Sequence, residues 1–274
     1  MKPDAPLQVA VVRLPFISNF TDFDALADEP DVKVRYVTAP AELVDAAAIV
    51  LPGTKSTIAD LAWLRESGLA AAVLTQAAAG TQVIGICGGY QMLGRRIHDP
   101  EHVESSADSV DALGLLDAET TFAAVKRTVS VDGELSAAAN LLGPPGTPVH
   151  GYEIHMGCTT LGSGAVPLLR LRGADGAEHD DGAAATPVNG SVARPVCGTY
   201  LHGLFDHPAL RGAFLNRLRA ERGLPARKSV APVEDDIDRL ADHVEAHLDA
   251  GLLEFIVGLE RSQLPRQVTF PVTP

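Results

Sequence analysis

Residues 81–94, TQVIGICGGYQMLG, constrain the fold most strongly because they set a cysteine at a sharp turn between a strand and a helix. Thr81–Ile86 is short and apolar, which predicts a buried strand. The segment around Cys87 fits the nucleophile-elbow pattern G-x-S-x-G, with sulfur in place of oxygen. Such a turn strains the backbone, so Gly85 and Gly89 are expected to sit where side chains would clash.

The predicted helix Tyr90–Ile97 begins just after Cys87 and directs its free N–H groups and positive dipole end towards the sulfur. This arrangement favours a reactive thiolate. Two other interpretations remain open. In the first, Cys87 is a core cysteine beside a glycine-rich turn. In the second, it neighbours a turn that binds phosphate.

A histidine far along the chain supplies a candidate partner for the thiol. The sequence predicts a strand at Pro195–Leu201, and His202 and Gly203 end it. Cysteine with a distant histidine is the usual arrangement for thiol acyl transfer. His202 would take the thiol proton and return a proton to the leaving group. Because the chain has nine histidines, a purely structural role for His202 is the alternative.

Strands and helices alternate up to residue 98, which predicts a parallel sheet with helices on both faces. Sites in such sheets form at the carboxyl ends of the strands. The predicted strands are Gln8–Arg13, Val32–Val37, Ala47–Pro52 and Thr81–Ile86. The predicted helices are Asp22–Ala27, Ala41–Asp45, Thr57–Ser67 and Leu69–Ala79.

The rest of the chain differs in pattern. Residues 99–200 predict short antiparallel strands, and residues 175–187 predict an exposed loop. An amphipathic C-terminal helix is expected at about 233–260, and residues 1–274 are expected to form a single domain. The predicted strands are Thr120–Val125, Arg127–Val131, Val149–Ile154, Leu168–Arg172 and Pro187–Val192.

Composition excludes several classes of protein. The net charge of −13 comes without a basic stripe, so nucleic acid is not expected as a partner. No apolar run is long enough for a membrane helix, and the N-terminus has no secretory signal, so a cytoplasmic protein is expected. Three cysteines are too few for a disulfide framework or a metal site. PGTKST at 52–57 and GPPGTP at 143–148 both depart from the P-loop pattern, so no nucleotide is expected in this chain.

Five segments carry a family resemblance. GICGGYQMLG and GTYLHGLFDHP together resemble a class I glutamine amidotransferase domain, in the branch found in cobyric acid synthase and cobyrinic acid a,c-diamide synthase. The other three are residues 9–26, 51–69 and 151–159, the last reading GYEIHMGCT. The resemblance implies an α/β fold with a flavodoxin-like core, an open and mostly parallel sheet flanked by helices, and additional antiparallel strands.

The resemblance also implies a site. Cys87 and His202 would be catalytic, and the N–H groups of Gly53 and Gly88 would hold the oxyanion. Neighbours of the glutamine site would be Tyr90, Gln91, Tyr152, Glu153 and His155.

One position departs from the wider family. Typical members have a glutamate two residues after the histidine, where this chain has Leu204. A Cys87–His202 dyad is therefore expected, with another group orienting the imidazole. Asp206 and Glu153 are the candidates for that role.

The implied activity is hydrolysis of L-glutamine to supply ammonia for ATP-dependent amidation of corrinoid carboxylates. ATP and Mg would bind a synthetase half, joined to this chain or separate from it, and this chain would carry no cofactor or metal. Three alternatives remain. The chain serves another amide ligase, for example one amidating a cell-wall lipid intermediate, or it is a non-catalytic partner-binding relative, or it is a thiol hydrolase.

Overall fold

The computed structural model describes residues 5–137, 141–186, 195–229 and 236–247. The chain divides into two compact units, Met1–Ala231 and Pro232–Pro274. The strands are β1 Leu7–Val12, β2 Val32–Val37, β3 Ala48–Leu51, β4 Gln82–Ile86, β5 Arg96–His98, β6 Ser109–Asp111, β7 Ala118–Leu135, β8 Pro148–Leu161, β9 Ala165–Val166, β10 Leu169–Gly173, β11 Glu178–Asp181, β12 Ala183–Ala185, β13 Val196–Thr199 and β14 Leu201–His202. The helices are α1 Asp24–Asp28, α2 Thr57–Glu66, α3 Leu69–Ala78, α4 Gly88–Leu93, α5 Pro208–Glu221 and α6 Asp236–His247.

The first sheet has seven strands in the order β2-β1-β3-β4-β13-β12-β9. Strands β2, β1, β3, β4 and β13 are parallel, and β12 and β9 extend the sheet in antiparallel pairs. Every residue of β3, β4 and β13 is buried, as expected for central parallel strands covered on both faces. The prediction of an α/β fold with a mostly parallel sheet is confirmed.

The second sheet supplies the predicted antiparallel strands. It runs β11-β10-β7-β5-β6, and β8 pairs with both β7 and β14. The predicted strands Thr120–Val125 and Arg127–Val131 are parts of one long strand, β7, whose register against β8 shifts between Thr121 and Lys126. The chain crosses from the first sheet to the second between Thr199 and Leu201, where β13 gives way to β14.

Two local predictions were wrong. Within residues 175–187, predicted as an exposed loop, Glu178–Asp181 and Ala183–Ala185 instead form β11 and β12, which pair with β10 and β13. Asp181 is buried at their junction, where it accepts hydrogen bonds from the Thr199 hydroxyl and the Tyr200 N–H. The helix after Cys87 ends at Leu93 rather than Ile97, and β5 follows after the extended residue Gly94.

Some predictions fall partly or wholly outside the described residues. The strand predicted at Pro187–Val192 lies there. The C-terminal helix is described only over α6, Asp236–His247. No helix among the described residues is both long and apolar enough to span a membrane. The single domain expected for residues 1–274 stays a prediction.

A buried ion pair joins α5 to the start of β2. The Arg219 guanidinium donates to both carboxylate oxygens of Asp31, at 2.9 and 2.7 Å, and the Arg219 side chain is 1% exposed. The hydrogen bond from Arg219 is the leading cause of the lowered pKa of Asp31. The ion pair therefore stabilises the first unit, and removing either Arg219 or Asp31 should destabilise it.

We expect Arg219→Ala to lower the free energy of unfolding by about 3–5 kcal/mol, because the Asp31 carboxylate loses both hydrogen bonds to the guanidinium and keeps only the half-exposed Arg227 at 3.9 Å. Urea denaturation followed by circular dichroism measures the change. Arg222→Ala is the matched control, since the exposed Arg222 side chain donates to the Asp45 carbonyl and forms no ion pair within the described part of the chain. Equal losses in the two variants would contradict a special role for the buried pair.

Candidate active site

The predicted site residues meet at the carboxyl edge of the first sheet. Cys87 follows β4, His202 follows β13 across the crossover into β14, and Gly53 follows β3. Parallel neighbours end at the same edge, so these three positions converge although they are far apart in sequence.

The elbow around Cys87 has the strained geometry that the sequence predicts. Cys87 adopts φ 52° and ψ −112°, a conformation that side chains rarely take. A Cβ at Gly85 would lie 2.6 Å from the Tyr90 backbone, and one at Gly89 would lie 2.0 Å from the Leu51 carbonyl oxygen. The turn therefore tolerates only glycine on both sides, and it leaves the half-buried Cys87 sulfur facing a cavity.

His202 is held by a carboxylate that the sequence analysis missed. Its Nδ1 lies 2.8 Å from Oδ2 of Asp22 and 3.0 Å from the Asn19 amide nitrogen. His202 and Asp22 are 1% and 3% exposed. Oδ1 of Asp22 also accepts the Gly203 N–H at 3.1 Å, so the carboxylate fixes both the ring and the backbone that carries it.

The electrostatics favour a charged imidazole. Burial lowers the pKa of His202, but the hydrogen bond to Asp22 and the interaction with Cys87 outweigh it and raise the value to about 9. Nδ1 is engaged with Asp22, which leaves the buried Nε2 as the nitrogen for the thiol. Nε2 has no hydrogen-bond partner among the described residues, so it is available to a thiol. At neutral pH an imidazolium at this position stabilises negative charge on the sulfur.

Neither sequence candidate for orienting His202 does so. The Glu153 carboxylate instead pairs with Nε2 of His179, at 3.1 Å from each oxygen. Burial and the neighbouring charge of Asp22 raise the pKa of Asp206 to about 6, but Asp206 is not hydrogen-bonded to the ring. Leu204 is fully buried in the hydrophobic core. The carboxylate that contacts His202 is instead that of Asp22, from the first part of the chain.

Cys87 and His202 line a cavity of about 370 Å³. Gln91 and His155 line it too, as the sequence predicts, and the Tyr152 ring stacks on His202 at 5.2 Å. The complete lining is Ser18, Asn19, Thr54, Lys55, Thr57, Cys87, Gln91, Glu104, Phe122, Ile154, His155, Met156 and His202.

Tyr90 and Glu153 do not line this cavity. They line a second cavity of about 510 Å³ that shares only His155 with the first. The His155 ring stacks on Tyr200 at 3.8 Å between the two cavities. The structure therefore places three of the five expected neighbours beside Cys87 and His202, and two in the adjoining cavity.

The side-chain amide of Gln91 is engaged in hydrogen bonds within the protein. Its Oε1 accepts from the Thr57 hydroxyl at 3.1 Å, and its Nε2 donates to the Met156 carbonyl at 3.0 Å and to the Tyr200 hydroxyl at 3.2 Å. With oxygen and nitrogen both engaged, Gln91 ties α2, α4 and β8 together beneath the cavity.

Two opposite charges lie in the cavity wall. The Glu104 carboxylate accepts the Ile58 N–H at 3.0 Å, and burial raises its pKa. Lys55 is exposed, and it is the only Lys or Arg among the residues that line the cavity. The sequence analysis named neither residue, because Glu104 lies in a segment of ordinary acidic loop composition.

The loop carrying Gly53 lies against His202 and against Gly88, the residue after Cys87. A Cβ at Gly53 would lie 3.1 Å from Cε1 of His202, and a Cβ at Gly88 would lie 2.6 Å from the Thr54 methyl group. The two proposed oxyanion donors are thus close to the reacting groups. Their donation to an oxyanion stays a prediction. No cluster of three or more potential metal ligands occurs among the described residues.

Comparisons with known proteins agree on one family. The model described as the CobB/CobQ-like glutamine amidotransferase domain matches residues 8–210. Cobyric acid synthase of Moorella thermoacetica is 46% identical over 262 residues, which cover 93% of this chain and 49% of that protein. Cobyric acid synthase of Pelotomaculum thermopropionicum is 44% identical, covering 96% of this chain and 51% of that protein. The chain thus spans about half the length of the curated relatives it matches.

Solved structures support the fold. A glutamine amidotransferase crystal structure superposes with a TM-score of 0.54 at 20% identity, covering 77% of this chain and 98% of the other. PurLQS from Thermotoga maritima also gives a TM-score of 0.54, at 18% identity, covering 77% of this chain and 99% of the other.

Proposed function

Since this chain belongs to the family of CobB/CobQ-like glutamine amidotransferase domains, we propose that Cys87, His202 and Asp22 hydrolyse glutamine to supply ammonia to a cobyric acid synthase. The observation that carries the proposal is the 2.8 Å contact between Asp22 and His202 beside a thiol on a strained elbow. Such an arrangement serves nucleophilic acyl transfer.

The cavity suits the zwitterionic end of glutamine. Glu104 offers a partly buried carboxylate to the α-ammonium group, and Lys55 offers an ammonium group to the α-carboxylate. With these groups held, the side-chain amide is directed towards Cys87. Opposite charges at fixed positions select an amino acid over a neutral amide.

The chemistry proceeds through a thioester. The Cys87 thiolate attacks the amide carbon, and the resulting oxyanion is held by the N–H groups of Gly53 and Gly88. His202 gives its proton to the departing nitrogen, so that ammonia leaves and the carbon–nitrogen bond breaks. Water, deprotonated by His202, then attacks the thioester, which releases glutamate and restores the thiol.

The acceptor of the ammonia is proposed from the relatives. They are cobyric acid synthases, about half of whose length this chain spans. Corrinoid carboxylates, activated by ATP on a synthetase module, are the proposed acceptors. The alternative is that the ammonia serves a different amide ligase. Measuring amide formation on a corrinoid carboxylate separates the two.

The test is glutamate release by the purified chain, alone and with an ATP-dependent synthetase module. We expect glutamine to be hydrolysed, and amide formation on a corrinoid carboxylate to require ATP. Hydrolysis of glutamine without any corrinoid amidation, in the presence of ATP and the native synthetase module, would overturn the acceptor but keep the glutaminase. Absence of hydrolysis in every combination would overturn both.

Removing the Gly53 N–H should lower turnover about 10²–10³-fold in Gly53→Pro, because one oxyanion donor is lost. Steady-state glutamate release measures the effect. Gly53→Ala is the control, since it keeps the N–H while its Cβ meets His202 Cε1 at 3.1 Å. Equal losses of rate in the two variants would show that steric pressure on His202, and not the donor, sets the effect.

A further inference from the structure

Exposed aromatic side chains are concentrated at one edge of the first sheet. The chain has only eight Phe, four Tyr and one Trp. Eight large hydrophobic side chains are exposed among the described residues, and four of them are aromatic. These four, Phe16, Phe20, Tyr36 and Tyr152, are called the aromatic rim. The other four exposed large hydrophobic residues are aliphatic: Val44, Leu74, Leu240 and Val244.

The aromatic rim lies next to residues that line the cavity that holds Cys87. Phe16 and Phe20, 52% and 62% exposed, flank Ser18 and Asn19, which line that cavity. The Tyr36 hydroxyl donates to the Phe20 carbonyl at 3.1 Å. Tyr152 stacks on the ring of His202, another lining residue, while remaining 38% exposed.

The backbone beneath the rim is fixed. The buried Asp60 carboxylate accepts the Phe16 N–H and the Thr54 hydroxyl. The Phe16 carbonyl accepts the Lys55 N–H at 3.0 Å. Aromatic rings exposed on a constrained backbone lose little conformational entropy when a partner covers them, so they are suited to binding.

We propose that the aromatic rim is the docking surface for the ATP-dependent synthetase module, which rests on the proposed function. The curated relatives carry about as much chain again beyond the part matched here, which is the size of partner module that the proposal assigns to this surface. Aromatic residues are enriched at protein interfaces. A seal around the Cys87 cavity would also keep released ammonia from the bulk water that protonates it.

The proposal fixes the chemistry of the partner surface. The synthetase module presents an apolar face to Phe16 and Phe20, and the opening of its acceptor site lies opposite the cavity mouth. Neither Phe side chain lines the cavity, so changing them alters docking without altering glutamine binding.

The test compares Phe16→Arg and Phe20→Arg in the assembled enzyme, with its synthetase module joined or bound. Three rates are measured: glutamate release, amide formation from glutamine, and amide formation from ammonium chloride. We expect amide formed per glutamate released to fall about tenfold, the effect of losing one interface anchor. Glutamate release and ammonium-driven amidation should be unchanged.

Val44→Arg is the matched control. Val44 is 55% exposed and precedes β3, so it lies at the opposite edge of the sheet. It should keep full coupling. Normal coupling in both Phe variants, with glutamine still hydrolysed, would overturn the docking surface and leave the proposed function standing. A wild-type enzyme that releases no glutamate would overturn the proposed function itself.

Sedimentation equilibrium on the isolated chain tests whether a second copy of this chain, and not the synthetase module, covers the aromatic rim. A dimer that Phe20→Arg dissociates, together with normal coupling in the assembled enzyme, would assign the rim to a second copy of this chain and overturn the proposal. A monomer whose affinity for the synthetase module falls in Phe20→Arg, but not in Val44→Arg, supports it.

Discussion

Glutamine hydrolysis is expected to fall at least about 10⁴-fold in Cys87→Ser, because a serine hydroxyl is a far weaker nucleophile at neutral pH than a cysteine thiol paired with His202. The fold should survive, since sulfur is replaced by the smaller oxygen at the same strained position. Glutamate release and circular dichroism measure the two outcomes.

The other two cysteines are the controls. Cys158 is exposed, and burial raises the pKa of Cys197 to about 12, which keeps its thiol protonated. Cys158→Ser and Cys197→Ser should retain turnover, and a glutamine-analogue electrophile should label Cys87. Mass spectrometry that found the label mainly on Cys158 would remove Cys87 from the nucleophilic role.

Asp22→Asn is expected to lower turnover about 10²–10⁴-fold, by analogy with loss of the orienting carboxylate in serine protease triads. An amide cannot balance the charge of the imidazolium, and it no longer requires Nδ1 to be the protonated nitrogen. Purified variant and wild-type chains, compared by steady-state glutamate release, give the measurement.

The same variant should change the pH profile in a defined direction. Asp22 raises the pKa of His202 through both its hydrogen bond and its charge, so its loss lowers that pKa from about 9. In the proposed mechanism His202 is the acid that protonates the leaving nitrogen, so activity should be lost as pH rises through its pKa. The alkaline limb of turnover should therefore move to lower pH in Asp22→Asn.

Asp206→Asn and Glu153→Gln separate orientation of the ring from general loss of negative charge. Both residues lie close to the site, but Glu153 is paired with His179 and Asp206 is not bonded to the imidazole. Both variants should keep most of the turnover and an alkaline limb close to that of the wild type. A larger loss in Asp206→Asn than in Asp22→Asn would show that the hydrogen bond to Asp22 is not the functional one.

Local patterns in the sequence were sufficient to predict the elbow. Its strand, its glycines and its helix are consecutive, and the steric need for Gly85 and Gly89 follows from the turn itself. The parallel order of β1, β3 and β4 was equally accessible, because alternating strands and helices leave few arrangements. The end of α4 was misjudged because Leu93 and Ile97 keep the four-residue apolar spacing of a helix, although β5 begins at Arg96.

The orienting carboxylate could not be found in this way. Asp22 lies 180 residues from His202, and nothing in the segment NFTDFD separates it from Asp24. Only the position of the loop after β1, at the same edge as β13, brings the two together. That loop carries acidic residues at the carboxyl edge of the sheet, which is the one sequence signal that would have included Asp22 among the candidates.

The error at residues 175–187 has a related cause. Gly, Ala and Asp dominate the segment, a composition typical of solvent-exposed turns. In the structure Asp181 is buried, its pKa is raised to about 6 chiefly by that burial, and it is bonded to Thr199 and Tyr200. Those bonds depend on β13 being in place, which the local composition does not reveal.

The crossing of the chain between Thr199 and Leu201 has a consequence for folding kinetics. His202 lies on a short segment that leaves the first sheet and enters the second. Its partner Asp22 follows β1 of the first sheet, and its partner Tyr152 lies in β8 of the second sheet. Contacts so distant in sequence form late, because the entropy of closing long loops must be overcome first. Recovery of glutaminase activity during refolding should therefore lag behind recovery of helical circular dichroism, since an intermediate with only the first sheet formed has no positioned imidazole.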